Sequence, residues 1–205
     1  LFDGSSPDSD EGSTAEVAKL LGLPVLLVAD ARKVARSIAA TVLGFRSFDP
    51  QVKVAGVLLN GIASPRHLDY CRRPIEQAVG LPVVGYLPRR DDLQLPERHL
   101  GLVPEVEGPV AAEFFDRLAA QVEETVDLDL LLRLAEAPDP PAVDPVLFPP
   151  EPQPRRAVVA VARDRAFSFY YQDALDLLSA WGAEVVPVSP LEDASLPDGC
   201  GALYL

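Results

Sequence analysis

L-P-V-L-L-V-A-D, residues 23–30, is the stretch on which the fold turns. It is a continuous apolar run closed by an acid, with no alternation of polar and apolar positions. A strand with one wet face alternates, whereas a strand buried on both faces does not. The run therefore predicts a central strand of a sheet covered by helices on both sides. V-K-V-A-G-V-L-L-N (52–60) and L-P-V-V-G-Y-L-P (81–88) repeat the pattern.

Helical segments lie between these runs. S-T-A-E (13–16) has the form of a capping box, Ser13 accepting from a backbone amide while Glu16 reaches back, and opens a helix ending at Gly22. A-R-K-V-A-R-S-I-A-A-T-V-L-G-F (31–45) puts Val34, Ile38, Val42 and Phe45 at helical spacing. R-H-L-D-Y-C-R-R-P-I-E-Q-A-V-G (66–80) is helical with a break expected at Pro74. Strands alternating with helices mean a parallel α/β sheet with helices on both faces. Residues 1–4, L-F-D-G, read as the end of a further strand.

Residues 109–126 and 127–137 read as two successive helices, and 137–154 as an extended linker, because proline at that density sustains neither helix nor sheet. A second α/β unit follows, with strands at 156–162 and 183–188, a helix at 169–182 and a last apolar strand in G-A-L-Y-L. The expected division is 1–136, a linker at 137–154, and 155–205. The chain has no methionine. Both ends read as interrupted elements, so it is expected to be a piece of a longer chain.

Composition narrows the function. The 205 residues carry a formal charge of −13, which argues against nucleic acid or anionic membrane as a general partner, since both demand a basic face. No apolar run is long enough to cross a bilayer, and no leader is visible. Cys71 and Cys200 form neither a disulfide framework nor a metal-ligand series, so reduced cytoplasm is the default.

In open parallel sheets, ligands bind beyond the carboxyl ends of the strands. Those ends here are Asp3, Asp30, Asn60 and Leu87-Pro88-Arg89-Arg90. An acid there can hold Mg²⁺ or its waters, an Asn can read an adenine edge, and arginine can face phosphate or carboxylate. Each has a plainer reading: Asp3-Gly4 and Asn60-Gly61 as turns, Asp30 as the cap of the next helix, Arg89 to Asp92 as mutual ion pairs. His67 reads as a helix-surface residue. No G-x-x-x-x-G-K-[ST] phosphate loop occurs in the sequence. L-P-E-R-H-L-G-L-V-P (95–104) sets Arg98 and His99 in a loop, as anion contacts or as an ordinary solvated turn.

The segments L-F-D-G (1–4), D-E-G-S-T-A-E-V-A-K-L-L-G-L-P-V-L-L-V-A-D (10–30), A-G-V-L-L-N (55–60), G-Y-L-P-R (85–89) and L-P-E-R-H-L-G-L-V (95–103), followed by V-A-V-A-R-D-R-A-F-S-F-Y-Y (159–171) and L-L-S-A-W-G-A-E-V-V-P-V-S-P-L (177–191), together resemble the cobyrinic acid a,c-diamide synthase family. The resemblance implies a P-loop NTPase-like (dethiobiotin-synthetase-like) domain lacking its N-terminal part, then the start of a class I glutamine amidotransferase-like α/β domain. It implies glutamine-using amidation of the a and c carboxylates of cobyrinic or hydrogenobyrinic acid through an acyl phosphate, with ATP and Mg²⁺. The corrinoid acid and L-glutamine are the implied partners, and a homodimer is compatible with it.

Residue by residue, Asp3 matches the family's L-F-D-G aspartate, implied in Mg²⁺ or substrate-carboxylate work. Asn60 matches an adenine-contacting Asn, and Pro88 and Arg89 a segment closing over the base. Arg98 and His99 match the family's R-H-L-G-L, as anion contacts or as bracing for the loop. The phosphate loop should precede Leu1 and the glutaminase nucleophile should follow Leu205, so this stretch alone is expected to be inactive. Cobyric acid synthase, a nickel-tetrapyrrole amidase, a partition-type ATPase and a silent remnant stand as alternatives.

Overall fold

The computed structural model describes residues 1–93, 97–98, 101–102, 112–139, 142 and 146–205. They form two compact units, the first from 1–93 with 112–139 and the second from the rest.

In the first unit β1 (Val25–Asp30), β2 (Val54–Ile62) and β3 (Val83–Pro88) make a parallel sheet in that order. The runs of β2 and β3 are buried as expected, Val57, Leu59 and Val84 being closed to solvent. Each side chain so buried stabilises the fold by roughly 1.5–3 kcal/mol. β1 is not the doubly covered central strand its run predicts: at the edge of the described sheet it buries one face only, through Leu27 and Ala29, while Val28 is 57% exposed. One face packs on α2 (Ile38–Phe48) and α3 (Pro65–Pro74), where Ile38, Val42, Cys71, Ile75 and Val79 join Leu27, Ala29, Val57 and Leu59 in one core. The other face is crossed by α4 (Ala112–Thr125) and α5 (Leu128–Leu134). Glycine permits that approach: a Cβ on Gly85 would lie 2.4 Å from the Thr125 carbonyl oxygen, and one on Gly56 2.9 Å from Leu134 Cδ1.

α1 (Thr14–Leu21) starts at Ser13, whose Oγ accepts from Glu16 N at 3.2 Å. Glu16 Oε2 accepts from Gly12 N at 2.6 Å rather than from Ser13 N, which donates to the Asp10 carbonyl, so the box is displaced by one residue. Gly22 ends the helix in the left-handed region at φ 65°.

Three further expectations are corrected. Residues 1–4 belong to no strand; the Leu1 carbonyl accepts from Ala15 N, and Leu1 and Phe2 lie against the core. The helix expected from residue 31 begins only at Ile38, because the Asp30 carboxylate takes the Arg32 amide at 3.0 Å and turns the chain. Pro74 does not break its helix. Having no N–H to donate to Tyr70, it marks the switch from α3 to a π-helical turn over Ile75–Val79, closed by Gly80 N to Ile75 O at 3.0 Å.

In the second unit β6 (Ala157–Ala162) lies between β7 (Ala183–Val188) and β8 (Cys200–Tyr204), all parallel. α6 (Gln172–Ala180) connects β6 to β7, and Pro187 is accommodated because β7 is an edge strand. The described part of the proline-rich stretch holds no helix or strand. Its part from residue 146 onward runs along this unit, with Trp181 Nε1 donating to Leu147 O and Gln153 N to Ala180 O, each 2.8 Å. β4 (Glu97–Arg98) and β5 (Gly101–Leu102) form a small antiparallel pair.

Candidate functional site at the carboxyl edge of the first sheet

Strand register places the edge residues side by side. Asp30 is aligned with Asn60, Asn60 with Leu87, and Ile62 with Pro88. β2 runs past Asn60 through Gly61 at φ 78°, where a Cβ would meet Arg32 Cγ at 2.6 Å. That conformation shifts the register between Asn60 and Ile62 and lets the Ile62 carbonyl accept from Arg89 N at 2.9 Å. Asn60, Pro88 and Arg89 are thus brought together on adjoining strands.

Their side chains differ in freedom. The Asn60 backbone carbonyl accepts from Ala31 N, while its exposed amide has no hydrogen-bond partner among the described residues. Arg89 is exposed and likewise without a side-chain partner among them. Arg90 is held: it donates to both Asp92 oxygens, at 3.0 and 2.6 Å, and to Gln121 Oε1 at 3.1 Å. The Arg90 hydrogen bonds keep the Asp92 carboxyl below its ordinary range. Mutual pairing therefore accounts for Arg90 and Asp92 but not for Arg89.

Asp30 is not a helix cap. Both its oxygens accept from the Arg32 guanidinium at 2.8–3.0 Å, and this pairing, joined by the Arg32 amide, pushes its pKa down to about 2. It is an ionised carboxylate already carrying a counter-charge.

Asp3 lies apart from this trio. It lines a 680 Å³ cleft with Phe2, the Ser5–Asp10 loop, Phe48 and Asp49, and none of Asp30, Asn60, Pro88 or Arg89 borders that cleft. Asp49 caps the end of α2, and Lys19 bridges it to Asp10 at 2.8 and 2.5 Å. Among the described residues no three His, Cys, Asp or Glu side chains gather as a metal site. Arg98 sits on β4, paired with Gly101 of β5, and His99 lies outside the described residues.

Lys33 and Arg36 lie between β1 and α2, outside any helix. The spacing over 31–45 predicts a helix there, whereas the cluster of three cations in A-R-K-V-A-R, directly after a strand-end acid, is the sequence signal for an exposed loop. His67, expected on a helix surface, fixes this loop: its Nε2 lies 2.7 Å from the Val34 carbonyl, and its Nδ1 accepts from Ala63 N at 3.1 Å. Asp164 does comparable work in the second unit, accepting from Ala166 N, Phe167 N, Ser189 Oγ and Leu191 N at 2.7–3.2 Å to tie the ends of β6 and β7 together.

The first unit is a parallel α/β unit with polar side chains at its carboxyl edge, and residues 4–97 match the family described as an AAA domain. The full 205-residue chain is 47% identical to a cobyrinate a,c-diamide synthase of Dehalococcoides mccartyi, 43% to one of Priestia megaterium and 42% to one of Salmonella typhimurium. Along its whole length the chain is thus similar to cobyrinate a,c-diamide synthases. It covers 45%, 44% and 44% of those three relatives, less than half of each. No solved structure matches it significantly. No helix among the described residues is long and apolar enough to cross a membrane.

Proposed function

We propose that the chain is part of an ATP-dependent, glutamine-using ligase that amidates the a and c carboxylates of cobyrinic or hydrogenobyrinic acid, and that the carboxyl edge of its first sheet holds the adenine end of ATP. The observation that carries this reading is the free Asn60 amide beside Pro88 and Arg89, in a chain similar along its whole length to cobyrinate a,c-diamide synthases. An amide offers a donor and an acceptor to the adenine edge, Pro88 an apolar contact, and Arg89 a cation for phosphate.

The residues fit the base better than the phosphates or the metal. The sequence holds no glycine-rich phosphate loop. Asp3 would offer Mg²⁺ one carboxylate, an arrangement such ions accept when water and phosphate complete the shell. In the proposed reaction ATP phosphorylates a carboxylate, and ammonia released from glutamine displaces the phosphate. The chain's own contribution is positioning: Asn60 and Arg89 orient the nucleotide, and a rim held by strand register keeps it fixed. The second unit is read as the beginning of the glutaminase domain, with the proline-rich 137–154 as the connection. A soluble cytoplasmic enzyme, able to form a homodimer, fits this reading.

The test is mass spectrometry of full-length protein incubated with cobyrinic acid, ATP and glutamine. Formation of the diamide, abolished by omitting ATP, is expected. Amidation of cobyric acid precursors at other positions, or ATP turnover independent of any corrinoid acid, would overturn the assignment.

A further inference from the structure

The cations of this acidic chain are unevenly placed. Lys33 and Arg36 lie in the β1–α2 loop and Arg66 at the start of α3, all exposed. Neither Lys33 nor Arg36 has a side-chain hydrogen-bond or ion-pair partner among the described residues. Arg36 borders a groove of 500 Å³ with Asp69, Tyr70, Arg73 and Gln77. Within it Asp69 is occupied by Arg73 at 3.1 Å, and the Arg66 guanidinium lies 5.5 Å over the half-exposed Tyr70 ring. Tyr70 thus lines a groove whose charged residues, Arg36 and Arg73 against Asp69, leave an excess of positive charge.

The loop is held in a costly shape. Lys33 is the one non-glycine residue at positive φ, 60°, among the described residues. An L-residue persists there only when its surroundings over-determine it, and such positions concentrate at binding sites. The over-determination is visible: Asp30 grips Arg32 on one side, and His67 and Cys71 both reach the Val34 carbonyl on the other. The result is two unpaired cations presented from a braced turn.

The geometry favours carboxylate over phosphate. Phosphates are usually cradled by free amides at helix N-termini. At α2 the first amides are already used, Ile38 N to Ala35 O, Ala39 N to Arg36 O and Ala40 N to Ser37 O. At α3 Ser64 Oγ accepts from His67 N and Ala63 N donates to His67. What is left is separated side-chain charges flanking a ring, suited to an apolar frame bearing several carboxylates.

We propose that the groove bordered by Arg36 and the Tyr70 face of α3, with Lys33 on the same braced loop three residues before Arg36, docks the peripheral carboxylates of a small polycarboxylic ligand, anchoring it while other carboxylates react at the sheet edge. On the function proposed above, that ligand is the corrinoid acid itself.

Titration calorimetry of the full-length protein tests this, using cobyrinic acid, its neutral permethyl ester, a polycarboxylic porphyrin and inorganic triphosphate. The wild type should bind the acid about tenfold more tightly than the ester, as loss of paired charge predicts. Lys33→Asn/Arg36→Gln should erase that preference while triphosphate affinity stays, and the charge-conserving Lys33→Arg/Arg36→Lys should retain most of it. A neutralised variant that keeps the preference, or loses triphosphate instead, overturns the groove, as does a charge-conserving variant that loses the preference equally. A wild type binding the porphyrin but not cobyrinic acid, with the same dependence on Lys33 and Arg36, supports the groove and overturns the cobyrinate assignment. Binding of neither acid overturns the groove.

Discussion

Gly85→Ala should destabilise the first unit selectively. A Cβ there would sit 2.4 Å from the Thr125 carbonyl oxygen, 2.6 Å from Val126 Cα and 3.1 Å from Val126 Cγ2. Two of the three obstacles are backbone, so the α4–α5 junction must retreat from the sheet. Overpacking of this kind costs about 1–3 kcal/mol. The retreat also breaks the bond from Asp127 N to Val84 O, now 2.8 Å, which contributes about 1 kcal/mol. The expected loss is therefore about 2–4 kcal/mol. Urea unfolding should be followed by far-ultraviolet circular dichroism and, separately, by fluorescence of the one tryptophan. Trp181 belongs to the second unit, so its transition should stay in place while the dichroism transition splits or moves to lower urea. Gly44→Ala is the control: a Cβ there meets nothing within 4 Å, and alanine in a helix is favoured by about 1 kcal/mol. A Gly85→Ala protein as stable as its parent would refute the close crossing of the sheet.

Asn60→Ala in the full-length protein should raise the KM for ATP about tenfold and leave glutamine hydrolysis unchanged, as loss of one directional contact predicts. Asp3→Asn should slow ATP-dependent amidation while glutamine hydrolysis survives; unchanged amidation would remove Asp3 from the site. Because the Asp30 carboxyl is lowered to about 2 in the folded chain from an ordinary 3.8, its pairing with Arg32 stabilises above the unfolded value and fades as acid approaches the folded one. Asp30→Asn should therefore lower the unfolding midpoint at neutral pH and converge with the parent in strong acid; a gap independent of pH would contradict this. Asp164→Ala should lower the Trp181 fluorescence midpoint without moving the first unit's transition, since the four donors it gathers all lie in the second unit.

β2 and β3 were legible because burial on both faces removes alternation, a signal written directly in residue type; β1 carries the same kind of run and forms a strand, yet it buries one face only, with Val28 exposed. The carboxyl ends of β2 and β3 followed, and with them the adjacency of Asn60, Pro88 and Arg89. The β1–α2 loop was not legible. Ala, Arg and Lys are good helix formers, and the hydrogen bond from Arg32 N to the Asp30 side chain, together with the left-handed Lys33, delays α2 to Ile38. A left-handed lysine has no signature in sequence, since it is imposed from outside by His67 and Cys71, more than thirty residues away. The strand expected at residues 1–4 failed for a related reason: a strand needs a partner to pair with, and composition alone supplies none. Asp3 accordingly lies in a cleft with Asp49 rather than beside Asn60.

The central claim is that the base of ATP rests on the carboxyl edge of the first sheet. Photolabelling the full-length protein with an azidoadenine analogue of ATP, followed by peptide mapping, measures this directly. Labels on Asn60 to Ile62 or on Leu87 to Arg90, suppressed by excess ATP, are predicted. ATP-protected labels confined to the Asp3–Asp49 cleft, with none along the edge, would contradict it.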